Sequence, residues 1–488
     1  MKLASFASMV LISGLVLPNS VFAEDMDSKI QALQQEINEL KASMNSSSSS
    51  SSPKKNGVSY KGVNLQLGGF LASETAFRSN NTESDIGTNY AKLPFAKDQG
   101  YGVSEFRGTE RQSRFSLLAS GDVSPTTHLA GYYELDFLGT GPTANANQSN
   151  SYTPRTRNIY ATIDWDEMGL HLLAGQNWSL AVLNTKGITP RNEAVPLTID
   201  AQYMVGFNWE RQWQLRLVKD WEKTFWLALS LENAQTVNVG GQLAAGTGNT
   251  YQLPGVSLMP STSNYSMNSY PDIILKFAWE ADFGHFEVWN LLRNFQSRYG
   301  GTTAATQGNR QDTWADSVGL GFTVPVLWKQ LDVTASGLYG SGAGRYGTTQ
   351  LADATYAADG SLNPLVGTQY LVQLVYHTTN RLDIYGGFGQ EMVASSVGGG
   401  GAFGFGDNVT GTNNAGCSNV GGTCTPFIKQ STQANIGAWW AFYKGDYGVM
   451  KLGAQYSHTT LDTFADASNF APSTNQDMFF TSLRYYPF

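Results

Sequence analysis

Several features that would announce a chemistry are missing from this sequence. Past Leu17 there is no apolar run long enough to cross a bilayer as a helix. Charged residues make up only 14% of the 488, and the formal net charge is −8, which argues against a nucleic-acid partner. The five histidines, His128, His171, His285, His377 and His458, are scattered without metal-ligand spacing. Neither G-x-S-x-G nor H-E-x-x-H occurs. Gly399-x-Gly401-x-x-Gly404 matches a dinucleotide fingerprint only by letter, since it lies in a glycine-saturated stretch with no strand before it and no helix after. Asp282-Phe283-Gly284 reads as a tight turn, because no other kinase element accompanies it. No catalytic residue, metal or cofactor is therefore assigned.

What the sequence does have is glycine (52 residues), aromatics (23 Tyr, 25 Phe, 12 Trp) and a segmented layout. Met1-Lys2, an apolar run to Leu17, the break Pro18-Asn19 and then Val21-Phe22-Ala23 read as a signal peptide over 1–23, so the chain is expected to be exported. Residues 24–45 place Met26, Ile30, Leu33, Ile37, Leu40 and Met44 at alternating spacings of four and three. That a/d seam predicts a short periplasmic coiled-coil helix and self-association. Residues 46–58, with unbroken serine from Ser46 to Ser52, read as a flexible linker. In an exported chain the only two cysteines, Cys417 and Cys424, are expected to close a small disulfide loop, because no histidine or further cysteine stands near them.

From 59 to 488 the pattern has period two. Phe225, Leu227, Leu229 and Leu231 alternate with Trp226, Ala228, Ser230 and Glu232. Leu129, Gly131, Tyr133, Leu135 and Phe137 alternate with Ala130, Tyr132, Glu134 and Asp136. Short connectors, such as 165–169 and 281–284, alternate with eight long polar ones, such as 177–206 and 391–431. The long polar loops offer no second layer to cover so many apolar strand faces. These observations predict an all-β transmembrane barrel of about sixteen antiparallel strands, in contact with outer-membrane lipid, with short turns in the periplasm. Trp165, Trp221, Trp279, Trp328, Trp439, Trp440 and Tyr443 fall where strands meet turns and are expected at headgroup level. The terminal Phe488, with Tyr486 two places before it, fits the end of such a barrel.

Within the barrel, charges on expected lumen faces are the candidate solute contacts. They are Arg107, Arg111 and Arg114 leading into one strand, Glu134 and Asp136 on the next, Arg191 in the third long loop, and Arg211 and Arg216 on a later strand. Arginines opposite carboxylates would set a transverse field that selects and orients ions. Arg211 is the weakest of these, since its parity matches the apolar Trp213.

At these residues the sequence resembles the DcaP-like outer-membrane porins. The resemblance rests on the heptad helix, Arg111-Gln112-Ser113-Arg114-Phe115, Tyr133-Glu134-Leu135-Asp136-Phe137, Ala174-Gly175-Gln176-Asn177-Trp178 and the run Glu210 to Arg216. It is strongest over 105–217. The serine run and the cysteine loop have no counterpart in it. The resemblance implies a homotrimer of sixteen-stranded barrels with a periplasmic coiled coil, passing small anionic or dicarboxylic solutes. It also implies a third loop folded into the pore, with Arg191 at the constriction. Two other classes compete with a porin: an outer-membrane enzyme of lipase or protease type, and a structural or adhesion barrel closed by its loops.

Overall fold

The computed structural model describes residues 57–141, 152–301 and 308–488. The expected signal peptide, the heptad helix and nearly all of the serine linker lie outside the described residues.

Period-two patterning becomes sixteen antiparallel strands among the described residues. They are β1 (Val63–Arg78), β2 (Arg114–Ser124), β3 (Thr127–Gly139), β4 (Thr153–Trp165), β5 (Leu170–Trp178), β6 (Arg211–Trp221), β7 (Phe225–Glu232) and β8 (Asp272–Ala281). Then follow β9 (Gly284–Tyr299), β10 (Asn309–Val326), β11 (Leu331–Ser341), β12 (Val366–Thr379), β13 (Leu382–Val393), β14 (Ile428–Gly445), β15 (Gly448–Thr463) and β16 (Ser473–Tyr486). Each strand pairs with its sequence neighbour, and β16 pairs with β1 from Leu71↔Tyr485 to Arg78↔Met478, closing the barrel. Closure leaves no open edge, so the wall's backbone groups are satisfied without water, the condition for spanning lipid. Among the described residues, long loops lie at one end of the strands and short turns at the other, as the sequence predicts.

The alternation has the expected sense. On β7, Phe225 and Leu229 are each 44% exposed on the outer wall, whereas Trp226, Ala228 and Ser230 point inward and are buried. Trp221, Trp279, Trp328 and Trp440 are exposed beside short turns. Trp439 departs from the expected girdle: it is buried inside the barrel, with the Arg484 guanidinium 4.6 Å from its ring centroid. Two adjacent tryptophans on one strand must face opposite sides, so only Trp440 can reach the lipid headgroups.

The lumen is not simply wet. Leu180, Ala181 and Ile188 of the third long loop (179–210) pack on Val218, Trp226 and Trp289 of the wall. Ile86 and Tyr90 of the first long loop (79–113) pack with Ile199 and Val205 of the third, and with Tyr385 and Phe480 of the wall. These clusters anchor loops inside the barrel by ordinary apolar burial. Outside, Cys417 and Cys424 are bonded, with Cα atoms 5.2 Å apart. The Lys97 amide donates to the Cys417 carbonyl (3.0 Å) and the Gly421 amide to the Lys97 carbonyl (2.9 Å), tying the seventh loop to the first.

Candidate pore constriction

The third loop is held across the lumen by its own backbone. Its amides donate to inward-facing side chains around the wall: Leu180 to Glu232 (2.7 Å) on β7, Gly187 to Glu280 on β8, and Asn184 to Glu287 (3.2 Å) on β9. Farther along, Gly206 donates to Glu391 (2.8 Å) on β13, Val205 to Gln433 (3.2 Å) on β14, and Ile199 to Gln455 (2.6 Å) on β15. A loop buried in this way must pair its backbone donors, and six wall acceptors do so. The approach is close enough to dictate sequence. A Cβ on Gly389 would lie 1.9 Å from the Val205 carbonyl oxygen, so only glycine admits the loop there.

Arg191 sits in the segment of this loop that runs Thr189-Pro190-Arg191-Asn192, at a left-handed φ of 71° and exposed. Its guanidinium lies 5.6 Å from the Tyr132 ring centroid on β3. Arg114 opens β2 and lies 5.3 Å from the Phe70 ring. Arg211 opens β6 and stacks on Trp178 (4.9 Å) and Trp209 (5.2 Å), so it reaches the lumen despite its parity with Trp213. Arg216 donates to the Trp178 carbonyl (2.6 Å) but is only 3% exposed, sealed from passing solute. Among the described residues none of these four arginines has a carboxylate oxygen within 4.0 Å. The Nε atoms of Arg114 and Arg216 and one Nη of Arg211 are buried without a hydrogen-bond acceptor.

The other expected lumen charges are spoken for. Glu134 pairs with Arg157 (2.5 Å), and Asp136 pairs with both Arg155 (2.7 Å) and Arg157 (2.9 Å). The carboxylates thus meet arginines of the adjacent strand β4, and Arg114 also acts electrostatically on Glu134. Arg157 also donates to the Tyr203 hydroxyl (3.2 Å), which links this ion cluster to the third loop. Arg111 is a loop clamp: it pairs with Asp85 (2.9 Å) and donates to the Phe137 and Gly139 carbonyls. Arg107 is half-exposed in the first loop and pairs with Glu105 (3.6 Å). Sequence reasoning missed Arg155 and Arg157. A register shift between β3 and β4 at Glu134/Leu135 turns two consecutive residues, Arg157 and Asn158, inward, and this breaks the alternation that would have exposed them to view.

Arg157, Arg211 and Arg114 all act electrostatically on Tyr203, which places them around one stretch of the lumen. An anion brought within about 4 Å of one such guanidinium gains about 4 kcal/mol at an effective dielectric constant of about 20, before its own desolvation. A cation meets the same field with opposite sign. Among the described residues no group of three His, Cys, Asp or Glu side chains is arranged to hold a metal ion.

Among solved structures the chain is similar to the outer-membrane channel DcaP of Acinetobacter baumannii, at 18% identity and TM-score 0.59, over 88% of this chain and 99% of that one. It also matches an anion-selective porin from Comamonas acidovorans at 9% identity and TM-score 0.46, over 87% and 99% of the two chains. OmpF of Salmonella typhi, solved with daunomycin, matches at 10% identity and TM-score 0.47, over 88% and 99%. The first likeness shows a shared fold, and at that identity no more. No protein-family model and no curated protein matches the sequence.

Proposed function

We propose that the chain is an outer-membrane porin through which small hydrophilic solutes diffuse passively, anions in preference to cations. The observation that carries this reading is the third loop strapped inside a closed barrel, which also holds Arg191, Arg114 and Arg211, none of them with a carboxylate oxygen within 4.0 Å among the described residues. A fixed positive field at a narrowing favours anions without turnover or cofactor. The heptad seam of residues 24–45 supports self-association of the barrels, as a homotrimer by the resemblance, with that helix in the periplasm and the signal peptide removed on export.

The test is single-channel conductance of the refolded protein in a planar bilayer under a salt gradient. Large stable steps with an anion-biased reversal potential are expected. Steps with a cation bias would keep the porin and overturn the arginine assignment. A silent bilayer from verified, folded protein would favour the enzyme or the adhesion barrel, which lipid hydrolysis and ligand binding by the loops would then separate.

A further inference from the structure

Four of the five histidines share one arrangement, at the short-turn ends of their strands. Each faces the lumen within four residues of a short turn, and each bridges two carboxylates. His128 on β3 contacts Asp122 (2.8 Å) and Asp166 (3.2 Å). His171 on β5 contacts Asp164 (2.7 Å) and Asp220 (2.9 Å), and stacks on Trp226. His285 on β9 contacts Glu280 (2.6 Å) and Glu287 (2.9 Å), and Glu287 also pairs with Lys276 (2.5 Å). His377 on β12 contacts Asp383 (2.7 Å) and Asp332 (3.1 Å). The first two clasps are continuous, because Asp122, His128, Asp164 and His171 are direct cross-strand partners in one row over four strands. Lys219, whose ammonium donates to the Met168 carbonyl, lies beside that row. His458 is the exception: it contacts Asp477 alone (2.8 Å), at the loop end of β15.

A neutral imidazole has one N–H to donate, and only an imidazolium has two. An imidazole set between two carboxylates satisfies both only while it carries the second proton. Losing that proton removes one positive charge and turns a ring lone pair toward a carboxylate. Each clasp then goes from a net charge of −1 to −2, so at His128, His171 and His377 together the mouth becomes three units more negative. Rings of acidic side chains repel anions from a pore.

We propose that the short-turn mouth is a second selectivity element, set by protons: it passes anions more readily with its imidazoles protonated than with them neutral. This rests on the channel reading above. It differs from a merely structural clasp because it moves permeability as well as stability.

The test measures reversal potential for the refolded full chain under a potassium chloride gradient, at about pH 5 and about pH 8. The chloride-to-potassium permeability ratio of the native protein should fall by about twofold or more over that range. The H128Q/H171Q variant should lose roughly two-thirds of this fall, counting two clasps of three. The exposed single change H377Q should lose a smaller part, and it serves if the double variant does not fold. H458Q should keep the native profile. Normal steps with a ratio that does not change with pH, or a native-sized fall in H128Q/H171Q and H377Q, would overturn the proposal. A silent bilayer would instead overturn the channel reading, and this proposal with it.

Discussion

The two sides of the lumen wall use charge differently. On β7, β8, β9 and β13 the carboxylates of Glu232, Glu280, Glu287 and Glu391 are occupied by backbone amides of the third loop. On β2 and β6, and at Arg191 in the loop, the guanidiniums have rings for neighbours and, among the described residues, no carboxylate oxygen within 4.0 Å. The chain as a whole is acidic, with a net charge of −8. On the proposed function, the charge left without a close partner at the constriction is nonetheless positive. What decides a pore's field is which charges lack partners, and a whole-chain sum does not report that.

Each difference between the two sides can be attacked. The largest effect is expected from Arg157→Ala, which strips Glu134 of its partner and takes from Asp136 one of two. Leaving a buried carboxylate unpaired costs about 3 kcal/mol or more. The thermal midpoint of the folded barrel should fall clearly, and any surviving channel should shift toward cations. Next comes Arg114→Ala with Arg191→Ala. Folding should be retained, and the chloride-over-potassium preference should drop about threefold in reversal-potential measurements; an unchanged preference would remove both residues from the selectivity site. A smaller effect follows from Glu391→Gln, where one acceptor oxygen for the Gly206 and Thr349 amides is lost. That change should cost about 1–2 kcal/mol and raise open-channel noise as the third loop loosens. The smallest effect on the pore is expected from Cys417→Ser with Cys424→Ser. The bond lies on the outer loops, so unit conductance and selectivity should match the native protein, while protease access to the seventh loop increases.

Strands and loops were legible because burial on one face and lipid on the other impose period two along every strand, and β7 displays it without a fault. The exchange of Trp439 for Trp440 at the headgroups follows from the same rule, applied at single-residue resolution. The pairings of Glu134 and Asp136 were not legible. Arg155 lay in a stretch that read as loop, and the β-bulge beside Arg157 shifts phase by one residue, which inverts every inference downstream of it. The loop anchors left no signature at all. Gly206 and Glu391 are 185 residues apart, and a backbone amide donates whatever its side chain. Gly389 could have hinted at a close approach, but not at what approaches.

The seam between β1 and β16 bears on how the chain gets built. Thr75 and Thr481 share a hydrogen bond across it, 406 residues apart in sequence. Until the final strand docks, β1 and β15 each present a full row of unpaired amides and carbonyls, a template for aggregation in any aqueous compartment. Bringing such distant ends together has a large entropic cost and gives nothing back until the last register is set, so assembly should be slow and late. The barrel should therefore close only once the chain has reached the bilayer. Removing β16 should leave no partial channel, only material destined for degradation.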